Sequence, residues 1–133
     1  MVDTVVAYEG GLRCRTEHAG SQAVVLTDAP ADNHGSGNGF SPTDLLSVSL
    51  GSCILSVMGI AAQSMDLDIS GATATVSKEM ANSPRRITQI LVTVRVKGSF
   101  DNRQRRALAA AAHACPVRVA LAIEVPITIE WHG

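Results

Sequence analysis

Three cysteines, Cys14, Cys53 and Cys115, give this 133-residue chain its widest chemical scope. Cys115 stands directly before Pro116. Proline favours the first turn of a helix and pushes the residue before it out of the α region, so Cys115 is expected at the N-cap of a short helix. Unpaired N–H groups and the positive end of the helix dipole favour a thiolate there. The same junction also suits a cysteine acting as a small buried hydrophobe. Cys53 lies midway along SPTDLLSVSLGSCILSVMGIAAQSM, residues 41–65, among Ser49, Gly51, Ser52 and Ser56. Small neighbours leave room above a sulfur for a small substrate, and they equally let a packed helix approach another element. A reactive cysteine needs a cation or a helix N-terminus beside it. Arg13 and Arg15, in LRCRTEH, share one face of a strand with Cys14 on the other, and either could supply that charge or simply be solvated.

Other chemistries find less support. An odd, sparse set of cysteines is not a secreted disulfide framework. No Cys-x-x-Cys spacing occurs, and His18, His34, His113 and His132 are scattered, so neither a metal site nor a cofactor is implied. Net charge is -1 and there are four aromatic residues, Tyr8, Phe40, Phe100 and Trp131, which argues against nucleic-acid binding. Gly-Ser-Gly-Asn-Gly, residues 35–39, lacks the preceding strand and following lysine of a phosphate loop. The opening MVDTVVAYEG is unlike a signal peptide, and serines interrupt the longest apolar run. The expectation is a soluble, cytoplasmic protein without a membrane or nucleic-acid partner.

The elements that must position these residues follow from periodicity and turn signals. Residues 4–8, 12–18 and 22–27 read as a three-stranded β-meander filling residues 1–27. Residues 28–40, rich in Asp, Asn and Gly, form a surface loop leading flexibly into the next helix. A central helix then spans 41–65, with Ser41 as N-cap, Pro42 in the first turn and Asp44 as the capping-box carboxylate. At about 36 Å it is long for a domain of this size, and it is apolar almost all round, so burial on most sides is expected. Gly51 and Gly59 within it imply close approach of another backbone. Residues 66–133 read as ββααβ: two long strands about Asn82-Ser83-Pro84, a helix over 101–114, a short helix over 117–121 and a last strand over 125–131. In the first of these helices Leu108 and the alanines pack while Arg103, Arg105 and Arg106 are solvated. The order βββ-α-ββ-α-α-β describes a single α+β domain with a mainly antiparallel sheet.

In that order, the GGLR strand, the SPTDLL helix start, the cysteine nine residues after Asp44 and the CPV turn resemble the OsmC/Ohr family, named for osmotically inducible protein C and organic hydroperoxide resistance protein. TDAPADNHGSGNGFSPTDL, KEM and PRRI are similar to its OsmC-like branch. The resemblance spans nearly the whole chain. It implies an intertwined homodimer, with long central helices packed together and active sites at the subunit boundary. It implies a thiol peroxidase acting on organic hydroperoxides or hydrogen peroxide. Cys53 would be the peroxidatic nucleophile, Cys115 the resolving thiol, and an external dithiol the reductant. Arg13, with Arg15 as the second choice, would match the arginine that stabilises the thiolate. Peroxidase members pair that arginine with a glutamate ten residues before the first cysteine. Here that position is Thr43, and Asp44 lies about 100° further round the helix. The family assigns no role to Cys14, which is expected in the core. His113 could tune Cys115 or simply close the end of its helix. Two rival functions use the same framework: a non-catalytic dimeric module binding a small ligand, and a thiol redox sensor.

Overall fold

The computed structural model describes residues 2–133. They separate into two compact units, one ending at Leu46 and the other Ser47–Gly133.

The first unit is built on an antiparallel meander of β1 (Val6–Gly10), β2 (Arg13–Glu17) and β3 (Val24–Asp28). Gly10 and Gly11, both at positive φ, turn β1 into β2, and a register shift after Tyr8 absorbs the extra residue. The loop beyond β3 is more tied down than its composition suggests. Asp28 N–H donates to Phe40 O at 3.0 Å and Ala29 N–H to Leu12 O at 3.1 Å, around a 3-10 turn at Ala31–Asn33. At Gly35 the backbone runs so close to Ala29 that a β-carbon would fall 1.6 Å from its carbonyl oxygen. Among the first unit's described residues no hydrophobic side chain is buried. Its buried residues are Asp28 and Ser41, while Val5, Val6, Tyr8 and Leu26 are each more than half exposed.

Helix α1 (Pro42–Ser64) starts at a reciprocal cap. Asp44 N–H donates to Ser41 Oγ, and Ser41 N–H to Asp44 Oδ2, each at 3.0 Å. From Ser47 onward α1 belongs to the second unit, with β4 (Thr73–Ala81), β5 (Arg86–Lys97), α2 (Asn102–His113), α3 (Pro116–Ala120) and β6 (Ile127–His132). β4 and β5 form an antiparallel hairpin. β6 pairs with β5 in parallel, because the α2–α3 crossover returns the chain to the end of the sheet where β5 began. Ile90, Val92, Val94 and Val96 alternate inward along β5. With them Leu50, Ile54, Met58 and Ala62 of α1 and Leu108 and Ala112 of α2 make the core. Each of the larger of these side chains contributes about 1.5–3 kcal/mol on burial.

Two expectations change. α1 buries one stripe only, Ser47, Leu50, Gly51, Ile54, Met58 and Ala62 at i+3 and i+4 spacing. A helix lying on one sheet face covers no more than that, and Val48 and Ile60 stay 42% and 67% exposed. Its serines do not deprive it of membrane-spanning length and apolarity; what distinguishes it is the stripe packed into the domain. Arg105, expected in solvent, is half-buried with its guanidinium 5.4 Å from the Trp131 ring, which itself stacks obliquely against Phe100. The outward-facing Arg103 and Arg106 are exposed as expected.

Candidate functional site

The second unit brings Cys53 and Cys115 together. Cys53 is half-buried in the middle of α1, two residues beyond Gly51. A β-carbon on Gly51 would meet Val76 Cγ1 at 3.2 Å and Ala74 Cβ at 3.7 Å, so this glycine lets β4 come close to the helix. Ser49, Ser52 and Ser56 lie on the exposed side instead. The small residues around Cys53 therefore have two separate causes.

Cys115 is fully buried and is the N-cap of α3, with Pro116 in the first turn as the sequence predicts. It lies close enough to Cys53 for the two thiols to influence each other's titration. Burial is the main influence raising the Cys115 pKa, followed by the neighbouring Cys53 side chain. The N–H groups of Arg118 and Val117 pull it the other way, although neither reaches capping geometry. The outcome differs from the thiolate that an N-cap position favours in isolation, because desolvation wins. Burial favours the protonated form of Cys115. The two cysteines are thus unlike: Cys53 is half-buried and Cys115 fully enclosed.

The candidate arginines lie in the first unit. Both are exposed along β2, with half-buried Cys14 between them. Arg15 Nη1 lies 3.6 Å from Glu17 Oε2, an ion pair in solvent. Arg13 has a better-shielded partner. Its Nε is 3.8 Å from Oδ2 of Asp28, whose side chain is only 8% exposed. The Ser36 hydroxyl donates to the same oxygen. That hydrogen bond, and then the Arg13 guanidinium, hold the Asp28 carboxyl below the usual carboxylate range against the opposing effect of burial. Arg13, Cys14 and Asp28 line a cavity of about 300 Å³. Cys14 is therefore a half-buried cavity residue and not a core one. Sequence reasoning missed Asp28, although β2 and β3 pair Arg13 directly opposite it. The expected third strand stops at residue 27, one short of Asp28, so the register had to run one residue further to find it.

Thr43 and Asp44 belong to the start of α1: Thr43 Oγ1 is 3.1 Å from Ser41 Oγ, and Asp44 completes the cap. His113 Nδ1–H donates to Ala109 O at 2.9 Å, closing its own helix. Arg118, also missed, donates from Nη1 to His113 O at 3.0 Å.

With this geometry in hand, similarity to known proteins is specific. The OsmC-like protein family model matches residues 35–130. A candidate osmotic stress induced and detoxification response protein of Psychrobacter arcticus is 38% identical, covering 99% of this chain and 96% of its own, with TM-score 0.90. An OsmC like protein of Mycoplasma pneumoniae is 13% identical, covering 98% of this chain and 96% of its own, at TM-score 0.83. An organic hydroperoxide resistance protein OsmC of Legionella pneumophila is 18% identical, covering 100% of this chain and 98% of its own, at TM-score 0.69. No curated protein matches the chain. The match to residues 35–130 contains both Cys53 and Cys115, and the chain belongs to the OsmC-like family.

Proposed function

We propose that this chain is a thiol-dependent peroxidase that reduces organic hydroperoxides or hydrogen peroxide with Cys53 and Cys115. The observation that carries the reading is the proximity of half-buried Cys53 to fully enclosed Cys115. The Cys53 thiolate attacks one peroxide oxygen and the O–O bond breaks. The departing alkoxide or hydroxide takes a proton and leaves as alcohol or water, and Cys53 becomes a sulfenic acid. Cys115 then attacks that sulfur, water leaves, and a disulfide closes. An external dithiol returns both thiols through a mixed disulfide and is itself oxidised. The similarity to an organic hydroperoxide resistance protein of Legionella pneumophila supports the substrate class by analogy of fold.

Arg13 is the proposed cation for the thiolate, in preference to Arg15. Asp28 supplies Arg13 with a carboxylate partner where the family's glutamate position is Thr43. The working form is proposed to be a homodimer. A first unit with no buried apolar residue among those described, and a central helix with exposed Val48 and Ile60, both call for a second copy of the chain.

The test mixes reduced protein with cumene hydroperoxide. One peroxide is consumed per Cys53, and a Cys53–Cys115 disulfide forms. Peroxide loss equal to a buffer blank, or unchanged in Cys53→Ser, defeats the reading. Slow turnover with every dithiol despite rapid disulfide formation points to the redox sensor instead. Sedimentation of the wild type and of Ile60→Lys tests the dimer, which the lysine is expected to weaken.

A further inference from the structure

We propose that Arg118 is a positioning residue that holds Cys115 in the attitude from which it closes on Cys53, an inference that rests on the two thiols being a redox pair. Cys115 occupies the junction between α2 and the five-residue α3. Its local restraints come from both sides. Its N–H donates to Ala112 O at 3.3 Å, and its carbonyl accepts from Val119 N–H at 3.0 Å. Arg118 ties the same segment together from outside. Its Nη1 donates to the carbonyl of His113, two residues before Cys115, at 3.0 Å. Its Nε reaches Val125 O, on the buried approach to β6, at 3.5 Å. One guanidinium therefore links the end of α2, the start of α3 and the lead into the last strand.

Closure makes this restraint matter. A disulfide needs a sulfur separation near 2.05 Å and a torsion near 90°. Cys53 is fixed in the middle of a 23-residue helix, so the adjustment falls on the Cys115 segment. Arg118 lines an open groove with Val119, Glu124 and Pro126, so shortening it opens no apolar cavity.

The experiment uses the full-length reduced chain with Cys14→Ser throughout and diamide as oxidant. Diamide adds a thiolate across its N=N bond. Attack by the second thiol then forms the disulfide and expels the hydrazine, so closure is read without peroxide. Arg118→Ala is expected to close about tenfold more slowly, the equivalent of one lost charge-assisted hydrogen bond. Arg118→Lys, which keeps a charged donor but not the fork, should recover part of the rate. Iodoacetamide labelling of Cys53 in a Cys115→Ser background should be the same with and without Arg118. Closure of Arg118→Ala at the wild-type rate overturns the proposal. So does a parallel loss of closure and Cys53 labelling, which means general loosening of the unit. If Arg118→Ala does not fold, Arg118→Lys closing as fast as wild type is equally decisive against it. A wild type that never closes defeats the redox reading itself, and this inference with it.

Discussion

Replacing Cys115 by alanine separates what the buried sulfur does for packing from what it does for chemistry. The side chain is completely enclosed, so the substitution removes one buried heavy atom and leaves a cavity about its size. Lost transfer energy plus that small cavity come to roughly 1–2 kcal/mol. With an unfolding entropy of about 2.1 cal/mol/K per residue, that lowers Tm by roughly 3–7 °C. Protein concentration must be held fixed if the chain is a dimer. The gap should depend on pH. Burial raises the Cys115 pKa above its ordinary 9.0, so its contribution is complete below 9.0. As pH climbs from there through the folded value, the unfolded chain releases a proton that the folded chain keeps, and that contribution is lost. Wild type should therefore lose its advantage over Cys115→Ala in alkali, as read by urea denaturation. The chemistry changes more sharply. After one equivalent of peroxide, intact wild type should lose the mass of two hydrogens, whereas Cys115→Ala should gain one oxygen trappable by dimedone. If the alanine variant also loses two hydrogens, or wild type gains oxygen without losing them, the assignment of the resolving thiol is wrong.

Asp28→Asn removes the carboxylate that anchors Arg13. Because the Ser36 hydrogen bond and Arg13 depress the Asp28 pKa below 3.8, its stabilisation is present above that value and lost as pH falls through the folded one. The asparagine variant should accordingly show a flatter denaturation midpoint across that acid window. Gly51→Val drives a branched side chain at Val76 and Ala74 and should cost about 1–3 kcal/mol in chemical denaturation, whereas Gly51→Ala offsets a tighter contact with about 1 kcal/mol of helix propensity. Arg105→Met removes the cation over Trp131, and a double-mutant cycle with Trp131→Leu should report a coupling of about 0.5–2 kcal/mol.

Legibility in the sequence tracked how local each signal was. The Ser41–Asp44 cap, the Cys115-Pro116 junction and the two-residue alternation of β5 are set by neighbours within a few positions, and each stands where the pattern puts it. Pairings made across the sheet were harder. The direction of β6 depends on where the α2–α3 crossover delivers the chain, which no local pattern encodes. The Asp28 partner of Arg13 needs a strand register, and the Arg118 bonds to His113 and Val125 need a tertiary fold. Arg105 is instructive for the opposite reason. A charged residue on an alanine-rich helix reads as solvated, yet its stem and planar head can cover an aromatic ring.

The asymmetry of the two thiols comes from backbone context and not from the cysteines themselves. A position in the middle of a long helix fixes Cys53 in place, and one side of that helix remains open. A residue before proline must leave the helical conformation, so Cys115 ends α2 and starts α3 in a segment that can adjust. Burial then keeps the proton on the adjustable sulfur, against the pull of the α3 N–H groups. A protonated thiol is a poor nucleophile, so in the proposed cycle Cys115 is expected to react after Cys53.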